Sequence, residues 1–494
     1  MDRNTGPRSA ALRGLAMQAD NRTQGQTAKI SVATLTAMVV GSMVGAGVFS
    51  LPSRFAGETG VLGALISWLV AGTGMLMLAF VFQRLAVRKP DLDSGVYAYA
   101  KAGFGEYLGF FSAFGYWASA CVGNVTYWIL IMSTVGAILP VLGEGDTFVA
   151  FAVSTACVWL FYLLVRRGVK EAATINRIVT VAKVLPIIAF VLIAVFLLDV
   201  QVLMDNFEGY GSTGPLFEQV RGTMLATVFV FLGVEGASVY SRHARRREDV
   251  GRATVLGFLM VLAIFASVTI VSYGILPMEE LAELRQPSMA GVLEAAVGGW
   301  GAAFVSVGLI VSVLGAYLAW TLMSSEVLYV AAKDGDMPRF LARSDANDVP
   351  RSALLLTTVL IQVMLVVTLL SDDAFTFALD LTSALSLIPF LLAAGYALKL
   401  AAGRGGAAAG SPTTRDLVIA VAAVLYTAFL LFAAGLTFVL LSFVIYAPAT
   451  ILFAMTRREQ GRRVFSGREL VIFVVSVIGG VAGVVALATG VISI

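Results

Sequence analysis

Thirteen long apolar runs follow one another between Ser31 and Ile494, and they constrain this chain more than any other feature. A spanning helix needs about 20 mostly apolar residues, and each run is close to that length or longer. The chain is 59% hydrophobic and 13% charged, which excludes an ordinary soluble domain. The sequence therefore predicts an all-α polytopic membrane protein. The predicted spans 1 to 13 cover residues 32–53, 61–83, 107–138, 147–165, 179–198, 221–240, 255–276, 301–331, 352–370, 374–398, 416–433, 436–455 and 470–491.

The basic residues are distributed unevenly between the connections of these spans. With the N-terminus placed in the cytoplasm, the inner segments hold 31 of the 34 Lys and Arg residues. The outer loops hold only Arg54, Arg221 and Arg285. This asymmetry is what the positive-inside rule demands, so we expect a multi-pass protein of the cytoplasmic (inner) membrane with a cytoplasmic N-terminus. Because topology explains the excess of basic residues, the net charge gives no indication of nucleic acid binding.

Three smaller features complete the outline of the chain. Residues 1–29 are polar and lack an apolar core, so they predict a disordered cytoplasmic tail and not a secretory signal. The uncharged stretch 417–456 would be about 60 Å long as one helix, twice a hydrocarbon core. We expect a turn at Ala434-Gly435 within it. The two cysteines lie in apolar runs and the one histidine in a basic loop, which indicates no disulfide framework, metal site or cofactor.

Glycine interrupts spans 1 and 6 at corresponding places. Span 1 contains the segment Gly41–Pro52, and span 6 contains Phe231–Ala237. Glycine loosens a helix and lets backbone approach a ligand, and unwound backbone is tolerated in a membrane only where it lines a cavity or is buried in protein. A glycine-interrupted segment at the start of each half is the best sequence indication of a transporter's substrate site. The two breaks therefore predict a secondary transporter.

Both broken spans begin a unit of five. Span 1 starts inside and span 6 starts outside, so the two units have inverted topology, as expected of repeats that rock about a site near the midplane. The predicted division is residues 30–200 for spans 1 to 5, 201–400 for spans 6 to 10, and 401–494 for spans 11 to 13. Beyond the glycine breaks, the two units do not visibly align.

Two ionisable residues lie within predicted spans. Glu235 is beside the glycines of span 6, and intramembrane acids mark function by default; the alternative is a charge paired with a neighbouring helix to fix packing. Because the glycines imply a cavity, we favour an acid that exchanges protons or senses an approaching cation. Lys183 lies a few residues inside span 5. It either snorkels to the interface or is a fixed cation that couples transport to protons, and the sequence leaves both open.

Spans 3 and 8 carry residues suited to a cationic ligand. Tyr116 and Asn124 are eight residues apart and share one helix face; an amide oxygen can accept from guanidinium or ammonium, although asparagine also joins membrane helices. Trp320 lies deep in span 8, where its ring face can hold such a cation or simply pack. Glu326 is six residues further and rotated away, so we expect gating or packing from it.

Together these motifs resemble the amino acid–polyamine–organocation superfamily. Within it they are similar to the basic amino acid/polyamine antiporters, especially the arginine/ornithine antiporters and the lysine permeases. The matching segments span nearly the whole chain, and they are Gly41–Pro52, Tyr97–Gly105, Tyr116–Asn124, Phe231–Ala237 and Trp320–Pro350.

The resemblance implies the leucine-transporter fold, a 5+5 inverted repeat. In it, spans 1 and 6 unwind at mid-membrane around a site completed by spans 3, 8 and 10. Carried over by position, Gly45 and Gly47 would present backbone amides to the substrate carboxylate, and backbone groups at Gly233 would meet the α-ammonium.

The resemblance also implies roles for side chains. Trp320, Asn124 and Ser383 match the residues that relatives use for the guanidinium end of arginine. Glu235 and Tyr116 match part of a gate.

Lys183 matches the place where sodium-coupled relatives bind an ion. Two departures from the family pattern qualify the transfer of the substrate. Ala46 stands where some relatives have a serine. Phe229 stands where some have an outer-gate tryptophan, and it can still act as an aromatic lid. The exact substrate therefore does not follow from the resemblance.

The function that the resemblance implies is exchange of cationic amino acids, arginine against ornithine, with the bilayer and the substrate as partners and without a cofactor. A proton-coupled permease for lysine or another amino acid is the alternative. A membrane sensor on a transporter scaffold is less favoured, since such proteins usually add a soluble domain. An enzyme is least favoured, since no nucleophile–base pair or metal cluster is visible. A homodimer stays open.

Overall fold

The structure is a computed structural model that describes residues 31–89, 92, 96–167, 172–209, 214–235, 247–345, 349–403 and 413–493. At 34, 38, 172–182, 247, 248 and 250 it describes the backbone alone. The tail predicted for residues 1–29, the second glycine of the break in span 6 and His243 lie outside these ranges.

All regular elements in the described residues are helical. Apart from three short 3₁₀ turns, the helices α1 to α18 are Val32–Met43, Leu51–Ala56, Val61–Arg88, Val96–Phe104, Glu106–Gly136, Phe148–Arg166, Ala172–Leu197, Val200–Asp205, Leu216–Phe231, Arg247–Ser272, Met278–Ala282, Ser288–Val297, Gly299–Lys333, Arg351–Thr368, Ala374–Ala401, Thr414–Ala433, Gly435–Glu459 and Gly467–Ala488.

Ten helices in the described part are long and apolar enough to cross a membrane, and the bent pair α1–α2 makes an eleventh. In order, they match predicted spans 1 to 4 and 7 to 13. Span 5 corresponds to α7, whose apolar stretch Lys183–Leu197 is shorter. Span 6 corresponds to the 16-residue α9. The polytopic all-α prediction is thus confirmed, whereas the count of thirteen stays a prediction.

The predicted helix ends follow local chemistry. Between α16 and α17 the chain turns at Ala434, and Gly435 has φ +69°, a left-handed conformation that glycine adopts without strain. This confirms the turn predicted at Ala434-Gly435.

In span 1, helix α1 ends at Met43, a 3₁₀ turn covers Gly47–Ser50, and the axis bends by 49° before α2 continues. Pro52 stands at the start of α2, where its missing N–H leaves no helical hydrogen bond unmade.

The helices differ greatly in how deeply they are buried. In the most apolar window of α5, 94% of the residues are buried, compared with 17% in α18. Helix α5 packs along α13 and α15, so these three form the centre of the molecule. Helix α17 is locked to this centre by Tyr446, whose hydroxyl lies against Gly115 and donates to the Leu385 carbonyl at 3.1 Å. Helix α18 packs on α17 at the periphery.

Candidate substrate site

A small cavity lies where the two helix breaks meet α5, α13 and α15. Its volume is about 30 Å³, and a cavity needs roughly 10–15 Å³ of such space to hold one water molecule. An amino acid is larger, so its entry requires the walls to move apart. The wall residues are Ser42, Met43, Gly45, Ala46, Gly47, Ser119, Ala120, Gly123, Tyr127, Phe229, Val230, Leu232, Trp320 and Thr382.

Five of the predicted substrate-binding residues line this cavity, and three do not. Gly45, Ala46 and Gly47 come from the first break, Phe229 from the end of α9, and Trp320 from α13. The structure therefore brings together residues that are far apart in sequence. The predicted residues outside the walls are Gly233, Asn124 and Ser383.

The backbone of the first break supplies hydrogen-bond donors. Within the described part of the chain, the N–H groups of Gly45 and Ala46 pair with no backbone acceptor. Free N–H groups at such a break can bind an anion such as a carboxylate. Gly47 is required for another reason: a Cβ there would lie 2.6 Å from Cδ1 of Phe229 and 2.7 Å from Cγ1 of Val230. The missing side chain thus lets the two breaks approach.

The second break is shaped by Gly233 and Glu235. Gly233 has φ +104°, and a Cβ there would collide with the carbonyl oxygen of Ser42, so no other residue fits easily. The Ser42 hydroxyl donates to the Gly233 carbonyl at 3.2 Å. The two broken helices are therefore joined directly, although Gly233 does not line the cavity.

Glu235 is 4% exposed and connects the second break to α5. Its Oε1 accepts from the Tyr116 hydroxyl at 2.7 Å, and its Oε2 accepts from the Gly233 N–H at 3.1 Å. The Tyr116 ring also lies 6.5 Å from the Trp320 ring. The acid, the tyrosine and the cavity wall are thus one connected group, which is the arrangement that a gate needs.

Asn124 and Ser383 make different contacts from each other. Asn124 is fully buried, and its Nδ2 donates to the Thr321 hydroxyl at 3.2 Å. Its Oδ1 has no partner among the described residues, and a buried acceptor left unpaired is costly. The Ser383 hydroxyl donates its one proton to the Leu225 carbonyl at 2.8 Å, which leaves its oxygen able to accept. Both side-chain oxygens can therefore still accept from a ligand or water, and only that of Asn124 is without any partner among the described residues.

Sequence reasoning missed four polar wall residues, namely Ser42, Ser119, Tyr127 and Thr382. Ser119 and Tyr127 lie three and eleven residues after Tyr116, so a strict helical count along α5 would have found them on the same face. Thr382 precedes the predicted Ser383 by one residue. The Ser119 hydroxyl donates to the Thr382 carbonyl at 2.7 Å, which fixes α15 against α5 at the cavity.

The two other predicted gating residues lie away from the cavity. Lys183 on α7 is 6% exposed, and α7 packs against α10 and α13. This burial favours a lysine held within the protein over one that extends to water. Glu326 on α13 is exposed and does not line the cavity.

An ion pair connects α2 to α15. Arg54 on α2 and Asp380 on α15 form a bidentate pair with both N–O distances at 3.0 Å. Arg54 also donates to the Thr376 hydroxyl at 3.1 Å. The two charged side chains are 13% and 10% exposed. Neither Arg54 nor Asp380 lines the cavity, and sequence reasoning did not single out the pair.

Above this pair lies a second cavity of about 320 Å³, which we call the polar vestibule. Burial raises the pKa of Glu58 in its wall, against the lowering effect of Arg54. The charged wall residues are Arg54, Glu58, Glu144, Asp146, Glu283, Arg285, Asp372 and Asp373. Acids therefore outnumber arginines on this surface by three to one.

Comparisons with known proteins agree on one family. The model of the amino acid permease family matches residues 30–455. An arginine/ornithine antiporter of Pseudomonas aeruginosa is 47% identical over 94% of this chain and 99% of its own length. An L-lysine transport protein of Corynebacterium glutamicum is 40% identical over 99% of this chain and 100% of its own. A putative arginine/ornithine antiporter of Escherichia coli is 39% identical over 90% and 96%.

Proposed function

Because the chain belongs to the amino acid permease family, with that family's leucine-transporter fold, we propose that it exchanges cationic amino acids across the cytoplasmic membrane. Arginine and ornithine are the proposed pair, since two of the relatives above are named as their antiporters. The N-terminus is proposed to be cytoplasmic on the charge distribution. A cationic amino acid and the bilayer are the proposed partners.

The meeting of the two helix breaks carries this proposal. The free N–H groups of Gly45 and Ala46 suit the α-carboxylate of an amino acid. The Trp320 ring suits a guanidinium or ammonium group. Asn124 does not line the cavity, so its oxygen, which has no partner among the described residues, can accept a hydrogen bond from that group only after the walls move. One end of the site thus suits an anion and the other a cation, as an arginine zwitterion requires.

Alternating access supplies the mechanism. The Arg54–Asp380 pair connects α2 to α15 on one side, and the Tyr116–Glu235 bond connects the second break to α5 at the cavity. In this proposal, substrate enters when one of these connections opens. Exchange follows if the walls close over a bound amino acid more readily than over water, because binding energy then drives the change of state.

Counterflow into proteoliposomes tests this function. Purified protein should take up labelled arginine when the vesicles contain unlabelled ornithine or arginine, and much less when they contain none. A proton gradient without internal amino acid should not replace ornithine. Uptake that needs no internal amino acid and collapses with the proton gradient would instead identify a symporter.

Lysine is the second candidate substrate, favoured by the 40% identity to an L-lysine transport protein. The same vesicles, loaded with lysine, decide between them. If internal lysine drives arginine entry as well as ornithine does, the site recognises a terminal cation without selecting its shape. If a proton gradient drives the uptake of lysine and no internal amino acid is needed, the permease alternative is correct.

Replacing Trp320 by alanine should weaken arginine binding more than replacing it by phenylalanine. A cation–π contact contributes about 0.5–2 kcal/mol, so the alanine variant should lose about 2- to 30-fold in affinity. The measurement is a binding titration with arginine on purified variants. Equal affinities of the wild type and the alanine variant would remove Trp320 from the site.

Replacing Lys183 by alanine should reduce transport more than affinity. A buried positive charge on α7 biases the equilibrium between the two access states without touching substrate. The Lys183→Arg variant separates charge from proton release, because arginine keeps the charge but cannot lose its proton. Full activity of Lys183→Arg with unchanged pH dependence would exclude proton release. Full activity of Lys183→Ala as well would leave only a lysine that snorkels.

A further inference from the structure

An apolar groove runs between the two last helices, α17 and α18, far from the substrate cavity. Its volume is about 520 Å³. Thr450 supplies the one side-chain hydroxyl in its wall, and that hydroxyl is paired with Tyr107 at 2.9 Å. The groove therefore offers no free polar side chain along its length. Its wall residues are Val444, Ala447, Pro448, Thr450, Ile451, Ala454, Phe465, Phe473, Val477, Gly480, Val481, Val484 and Val485.

The length of the groove matches one leaflet of a bilayer. From Val444 to Ala454 the wall on α17 covers about 15 Å of helix, which is half of a hydrocarbon core about 30 Å thick. The groove ends near Phe465, in the connection between the two helices. An extended hydrocarbon chain that starts at this end would lie along it to about the middle of the membrane.

Arg458 stands where the groove ends. Positions 447, 451 and 454 line the groove, and 458 continues this spacing of three or four residues, so it lies on the same face of α17. Arg463 lies in the connection beside Phe465. Both arginines are exposed, and neither pairs with an acid in the part of the chain that the structure describes.

Most of the neighbouring charges are already paired. Arg457 binds Glu106 at 2.9 Å and Glu469 at 3.0 Å, and Arg462 binds Glu106 at 3.0 Å. The exposed Glu459 keeps its negative charge, because its partner, the backbone N–H of Arg339 at 2.9 Å, is uncharged. Arg458, Arg463 and the equally exposed Arg468 outnumber it, so this end of the groove keeps a net positive charge.

We propose that this groove binds an anionic phospholipid, with an acyl chain along α17 and α18 and the phosphate between Arg458 and Arg463. The guanidinium fork matches a phosphate in bidentate geometry, and basic pockets between membrane helices bind anionic head groups. A zwitterionic lipid carries its own ammonium group beside the phosphate, so the two arginines contribute less to its binding. A second copy of the chain in the same membrane orientation would bring identical arginines to the same depth, where they repel.

Native mass spectrometry of the full-length protein in mild detergent tests the proposal, with phosphatidylglycerol and phosphatidylcholine as the two probes. The wild type should bind phosphatidylglycerol at least tenfold more tightly. Each basic residue near an anionic head group contributes roughly fivefold, so Arg458→Gln with Arg463→Gln should weaken phosphatidylglycerol about 30-fold and phosphatidylcholine, whose ammonium group offsets its phosphate, much less. Arg343→Gln, an exposed arginine elsewhere, is the matched control and should change neither.

A second variant tests the groove apart from the charges. Ala454→Phe places a ring in the wall and should weaken both lipids to a similar extent. Counterflow activity shows that each variant is folded. Equal affinity of the wild type for the two lipids overturns the proposal without any variant. So does an Arg343→Gln effect as large as that of the double variant, or a dimer that Ala454→Phe dissociates, since the second copy would then occupy the groove.

Discussion

Glu235→Gln should leave the protein folded and inserted but reduce arginine/ornithine exchange about 10- to 150-fold. The amide can still fill the position, since its oxygen can accept from the Gly233 N–H and its nitrogen can donate to the Tyr116 hydroxyl. What it loses is the charge. A hydrogen bond to a charged group contributes about 1.5–3 kcal/mol, which sets the expected range. The measurement is the initial rate of counterflow in vesicles with matched protein content.

The companion variant Tyr116→Phe separates the bond from the charge. It keeps Glu235 ionisable but removes the hydroxyl that lies 2.7 Å from Oε1. If the bond holds the gate, exchange should fall in Tyr116→Phe as well, whereas arginine affinity should change less. A Glu235→Gln variant that fails to fold would favour the packing role over the functional one, and one with full exchange would remove the charge from the mechanism.

Asp380→Asn should destabilise the protein by about 3–5 kcal/mol, because removing one partner of a buried pair leaves the other charge uncompensated. Arg54 donates to both Asp380 oxygens at 3.0 Å, and asparagine offers only one acceptor. The destabilisation should appear in thermal unfolding of the purified protein. It should also favour separation of α2 from α15, since this exposes more of the Arg54 guanidinium to water.

Two controls define that effect. Adding Arg54→Gln to Asp380→Asn should restore much of the lost stability, because no charge is then left buried. Glu218→Gln breaks the Glu218–Arg221 pair, whose side chains are 49% and 36% exposed, and should change stability by less than about 1 kcal/mol. Equal effects of Asp380→Asn and Glu218→Gln would show that the Arg54–Asp380 pair does not hold α2 against α15.

The fold was predictable because a bilayer imposes a strong pattern on sequence. Spans 1 to 4 and 7 to 13 were found in order, and the turn at Ala434-Gly435 was placed correctly. Span 6 shows the limit of hydropathy. The described helix α9 ends at Phe231, within the predicted span, because Gly233 takes a left-handed conformation there. Composition locates such a span, but only backbone geometry sets where it stops.

The candidate site was predictable where chemistry singles out a residue. An acid beside glycines, a tryptophan deep in a span and the glycine breaks all pointed to the region that the structure assembles. Contacts between helices were not predictable in the same way. Thr382 and Ser383 are adjacent and chemically alike, and only the rotation of α15 decides that Thr382 lines the cavity while Ser383 pairs with α9. Arg54 and Asp380 lie 326 residues apart and gave no joint signal.

The polar vestibule has a consequence for how this protein is assayed. An excess of acids in a concave surface raises the local concentration of cations, so an apparent KM for arginine combines attraction into the vestibule with binding at the cavity. Salt screens the attraction into the vestibule, with a Debye length of about 10 Å at 0.1 M. It changes binding at the cavity much less. Because the pKa of Glu58 is raised, acidic buffers neutralise part of this field earlier than they would an ordinary glutamate. Two laboratories with the same protein and different buffers would therefore measure different affinities. Extrapolation to high ionic strength gives the affinity of the cavity itself for arginine.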